Sequence, residues 1–130
     1  MSGLPRDLTA SILAHEAIHA WLKLHPNFTT MLERTGGIDK QAEEGVCQLV
    51  AHLFIGYINR QNEGRESGVV GQIKGEELSD KELRKFFLFS IESDKSEVYG
   101  EGFRKAAALY AQIGLEPILL HLVETGQFPR

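Results

Sequence analysis

The sequence has one cysteine, Cys47, in 130 residues. A single thiol cannot make an internal disulfide, which fits a reducing compartment, cytoplasmic or nuclear. Basic residues are not in excess: 14 Lys and Arg stand against 18 Asp and Glu, a net charge of −4. This argues against binding nucleic acid or an anionic membrane, each of which needs a basic surface. No apolar run approaches the roughly 20 residues that span a bilayer. The opening MSGLPRDL has no apolar signal-peptide core. Alternation of the kind a half-buried strand needs is missing throughout, as are internal repeats and low-complexity tracts. With 42% hydrophobic and 25% charged residues, what remains is an ordinary globular composition, read as one domain over 1–130 with a core of its own.

Helical periodicity accounts for most of the chain. Residues 7–24 read as a helix with Asp7 or Thr9 at its start and apolar residues at Leu8, Ile12, Leu13, Ala17, Ala20 and Leu24. His25-Pro26 ends it, because a residue before proline is pushed out of the helical region. Residues 26–39 read as a loop with one helical turn at most. A second helix is expected over 39–59, burying Val46, Val50, Leu53, Phe54 and Tyr57. Residues 61–77, with four glycines, read as a mobile surface loop. Ser79 and Glu82 have capping-box spacing before a third helix over 80–93. Two more follow over 101–113 and 116–125, closed by Gly114 and Gly126. The expected class is all-α with about five helices.

The chemistry is concentrated in 13-LAHEAIHAWL-22, which holds His-Glu-x-x-His. On a helix, residues four apart stand one above the other, so His15 and His19 can present two ring nitrogens to one ion while Glu16 leans toward the same space. Zinc suits two neutral histidines and one carboxylate, with a fourth position left for water. The carboxylate between the histidines is then a general base and not a ligand. The competing explanation is a pair of hydrogen-bonded helix histidines and a surface glutamate. A third ligand tips the balance, and 42-AEEGVCQL-49 supplies candidates in Glu43 and Glu44, although acids in a first helical turn also complement the helix dipole.

Several long patterns resemble one family: 4-LPRDLTASILAHEAIHAWLKL-24, 43-EEGVCQLVAH-52, 91-IESDKSEVYGEGFR-104 and 124-ETGQFP-129. They are similar to the catalytic region of the plant organ-size regulators, the ubiquitin-activated "DA-one" proteins that carry a LIM domain ahead of a zinc peptidase domain. The resemblance implies a Zn2+-dependent endopeptidase of gluzincin type acting on regulatory proteins of the ubiquitin pathway. In gluzincins the third ligand is a glutamate directly before glycine, which points to Glu44. Helical phase instead favours Glu43, which shares a stripe with Cys47, Val50 and Phe54. The expected assignment is Glu44 as ligand, with Glu43 as an outer carboxylate that fixes a histidine tautomer or as the alternative ligand. One cysteine cannot build a LIM domain, and 82-ELRKFFLFS-90 puts Phe86 where a ubiquitin-interacting helix needs a small residue. Peptidases with this helix usually place a small sheet before it to hold substrate, so the chain is expected to be a piece of a longer protein or a minimal form.

Tyr99 is the candidate oxyanion donor, opposed by the reading of a core tyrosine. Gly100 and Gly102 are expected to admit substrate or backbone closely. Arg104 is a candidate substrate clamp, with an ion pair as its alternative. Cys47 reads as a small buried hydrophobe, and His52 as structural. Trp21, Phe86 and Phe87 are expected in the core. The expected activity is metal-assisted hydrolysis of protein or peptide substrates; the rival is a non-catalytic helical interaction module, with or without the metal.

Overall fold

The computed structural model describes the backbone of residues 6–66 and 75–130, with the side chains of 6–8, 62–66 and 75–80 outside the description. The described residues form six α-helices: α1 (Arg6–Leu24), α2 (Phe28–Thr35), α3 (Lys40–Glu66), α4 (Gly75–Ser93), α5 (Gly102–Ile113) and α6 (Leu115–Thr125). A single π-turn (Glu97–Glu101) leads into α5. No strand occurs among the described residues, so the all-α class holds. Nor is any single described helix long and apolar enough to cross a membrane.

The differences from expectation are local. Residues 28–35 make a full short helix, α2, closed by Gly36 at φ 89°. Its end is also tied down by Thr35, which donates to the Met31 carbonyl at 2.8 Å. The segment 61–77 is helical at both flanks, since α3 runs to Glu66 and α4 opens at Gly75, while 67–74 lie outside the described residues. The expected cap Ser79 therefore falls inside α4, and its side chain lies outside the described ones, as do those of Asp7 and Leu8.

The central helix is α3, with Ala42 and the run Glu44 to Cys47 all buried. On one side Ala42, Val46 and Cys47 pack with Leu22 of α1 and with Ile118, Leu122 and Val123 of α6. On the other, Leu49 and Ala51 pack with Ile91 of α4 and with Phe103 and Ala106 of α5. Each large apolar side chain fully removed from water contributes about 1.5–3 kcal/mol, so α3 is the element on which the rest assembles.

The buried face of α1 is not its most apolar one. Ser11, His15, Ile18, His19 and Leu22 turn inward, while Ile12, Leu13, Ala17, Ala20, Trp21 and Leu24 are exposed. The expected apolar stripe is thus the outer face. Phe86 and Tyr57, expected in the core, are likewise exposed, at 65% and 55%. Periodicity finds a helix but does not say which neighbour covers which face.

Candidate metal centre

Two backbone approaches seat α5 against α3, the helix that carries Glu43 and Glu44. A Cβ on Gly45 would stand 2.3 Å from the carbonyl oxygen of Gly102, and one on Gly102 would stand 2.5 Å from that of Gln41. Both positions need glycine because α3 and α5 touch backbone to backbone there. Gly100 meets the Asp94 carbonyl in the same way. The glycines at 100 and 102 therefore admit the protein's own backbone.

On a neighbouring face of α3, α1 presents its histidines. His15 Nδ1 lies 3.1 Å from Gln48 Oε1, and His19 Nδ1 lies 2.7 Å from Glu43 Oε2. An amide oxygen and a carboxylate can only accept, so each Nδ1 carries the donated proton. In each neutral ring Nε2 is then left with its lone pair. Both Nε2 atoms face the same oxygen, Glu44 Oε1, each at 3.2 Å. With Glu44 only 6% exposed, its carboxylate and the two ring nitrogens share either a ring proton or a cation held between them. Lys40 does not fill that role: its Nζ reaches the other oxygen, Oε2, at 3.4 Å from an exposed position.

A divalent metal fits. Four-coordinate zinc with bonds of about 2.0–2.1 Å to nitrogen and oxygen has tetrahedral edges of about 3.3 Å, close to the two 3.2 Å separations. The donor atoms of His15, His19, Glu44 and Cys47 all lie within 4.8 Å of one another. Glu43 sits outside this group, bonded to the far nitrogen of His19. The geometry thus groups Glu44, and not Glu43, with the Nε2 atoms of both histidines.

Among the other candidates, Glu16 is exposed beside His15, and its charge adds to the field on Cys47. The Cys47 thiol is pushed up strongly from its ordinary pKa, first by burial and then by the Glu44, Glu43 and Glu16 carboxylates. Tyr99 is 40% exposed in the π-turn, where Ser96 Oγ accepts from the Tyr99 and Gly100 amides at 3.2 Å. Arg104 donates to the Asp94 carbonyl at 2.8 Å and so pins that turn to α5. Ser96 also donates its amide to Asp94 Oδ1 at 2.8 Å, and this bond is the main reason the Asp94 carboxyl lies below its usual pKa. His52 pairs with Glu92 at 2.7 Å and rests on Phe103, away from the donors. Gln48 is the participant that sequence reasoning passed over. Its place one turn after Glu44 was its only signal.

A family model described as "Protein DA1" matches residues 1–125. Protein DA1 of Arabidopsis thaliana is 40% identical over 134 residues, covering 98% of this chain. The chain belongs to the DA1-like family. Within it, Protein DA1-related 1 of Arabidopsis thaliana is 38% identical, and the LIM domain-containing protein HDR3 of Oryza sativa subsp. japonica is 34% identical, each again over 98% of the chain. The chain spans 24% of Protein DA1, 23% of DA1-related 1 and 27% of HDR3, so DA1-like membership is established for about a quarter of such a protein. No solved structure matches the chain.

Proposed function

We propose that this DA1-like chain is the metal-holding catalytic region of a zinc metallopeptidase, with His15, His19 and Glu44 as ligands and Glu16 as general base. The observation that carries it is the pair of Nε2 atoms converging on Glu44 Oε1, each ring facing an acceptor at its far nitrogen. Zinc bound there supplies the Lewis acidity that acidifies water and polarises a scissile carbonyl.

The chain's own residues supply the rest. Gln48 and Glu43 fix the two tautomers and ring orientations. Glu16, next to a ligand yet exposed, keeps a carboxylate free to take a proton from water and pass it to the leaving amine. To Tyr99, 40% exposed in the π-turn that packs on α3, we assign the role of donor to the developing oxyanion. For Arg104 the contact with Asp94 favours a positioning role, holding the turn that carries Tyr99. The substrates are protein or peptide segments, with ubiquitin-pathway proteins as the first to try in a cytoplasmic or nuclear setting.

The test is Glu16→Gln, with metal content and peptide hydrolysis measured on the same preparation. A peptidase keeps one zinc and loses at least about a hundredfold in kcat, the low end of what a general base contributes. Unchanged function in the variant would leave the interaction module as the correct account, and a wild-type chain that binds no zinc would remove the catalytic one altogether.

A further inference from the structure

The peptidase mechanism uses three ligands and leaves Cys47 without a task, yet this thiol sits inside the same donor cluster. Glu44 and Cys47 are three apart on α3, a spacing that puts them on one helix face. Both are buried, Cys47 completely. Its Sγ is within 4.8 Å of the donor atoms of His15, His19 and Glu44. Zinc–sulfur bonds of about 2.3 Å give tetrahedral edges to sulfur of about 3.6 Å, so closing the set takes a movement of at most about 1 Å, within reach of one side-chain torsion. Thiolate is a soft ligand that favours zinc over magnesium or calcium. Cys47 also packs in the core with Leu22, Val46 and Ile118, and its sulfur is the one core atom that shares the donor cluster.

We propose that Cys47 is a fourth protein ligand of the metal, closing the site in the resting chain. This rests on the metal reading given above and concerns the regulation of that site. On binding, the S–H proton is released to solvent as the sulfur–metal bond forms. Opening reverses this: the sulfur leaves the metal, takes a proton back, and a water molecule enters the vacated position. The resting state is then a four-ligand site of the structural kind, and catalysis requires that the thiolate be displaced.

Cobalt(II) replaces zinc in such sites and reports its ligands in the absorption spectrum. The purified full chain, stripped with a chelator and given one equivalent of cobalt(II), is expected to show an intense near-ultraviolet sulfur-to-metal charge-transfer band. Since Cys47 is the only cysteine, the wild-type spectrum decides the matter even if a variant fails to fold. The band should be absent from Cys47→Ala and Cys47→Ser and present in Glu16→Gln, and zinc affinity should fall at least tenfold in Cys47→Ala. Cobalt bound without the band overturns the proposal and leaves the three-ligand site standing. A wild-type chain that takes up no cobalt overturns both.

Discussion

Alanine at Gly45 and alanine at Gly56 are the same substitution in the same helix, and they are expected to have opposite effects. At 45 the new methyl would lie 2.3 Å from the oxygen, 2.4 Å from the carbon and 2.8 Å from the Cα of Gly102. Ordinary contact starts near 3.4 Å, so α3 and α5 would have to part by about 1 Å in a close-packed interior. All three neighbours are backbone atoms, and no rotamer change relieves the clash. Overpacking costs about 1–3 kcal/mol and here falls at the upper end, against a gain of about 1 kcal/mol for alanine over glycine within a helix. The expected net loss for Gly45→Ala is about 2 kcal/mol. At 56 the methyl meets only Arg60 Nη1 at 3.5 Å, the movable end of an exposed side chain. Gly56→Ala should therefore gain about 0.5–1 kcal/mol. Urea unfolding midpoints of the two variants measure the difference, and zinc affinity by chelator competition measures whether a strained α3 carries Glu44 out of line with the α1 histidines. If Gly45→Ala unfolds at or above the wild-type midpoint, backbone contact with Gly102 is not what sets the spacing of α3 and α5.

Two further outcomes are expected. Glu43→Gln should weaken zinc binding about ten- to hundredfold while sparing the fold, since it removes the charge that orients His19; Lys40→Ala, which removes a solvent-exposed ammonium 3.4 Å from the other oxygen of Glu44, should change affinity by less than about fivefold. An equal effect of the two would contradict the tautomer argument. In metal-free protein, the raised pKa of Cys47 makes stability dependent on alkaline pH. Below the ordinary thiol value of 9.0 both folded and unfolded chains keep the proton, and the contribution is fully present. Above it the unfolded chain ionises while the folded one does not, so stability falls as pH rises. Denaturation across pH 8 to 10.5 should show this slope in the wild type and a smaller one in Cys47→Ala.

What the sequence determined by itself is the set of parts. His15 and His19 four apart, Glu44 before a glycine and the helical periodicity around them follow from local spacing, because within a helix the side-chain directions are fixed by residue number alone. The helix-ending glycines at 114 and 126 were legible because the chain leaves a helix there through positive φ, which favours glycine. What only the tertiary structure decided is how those parts face one another. The most apolar side of α1 lies outside because its polar, histidine-bearing side is the one that meets α3. Glu44 and not Glu43 reaches the histidine Nε2 atoms because of how α3 is rotated against α1. Gln48 and Cys47 join the cluster through that same rotation, which depends on contacts between segments far apart in the chain and so leaves no local periodic signal.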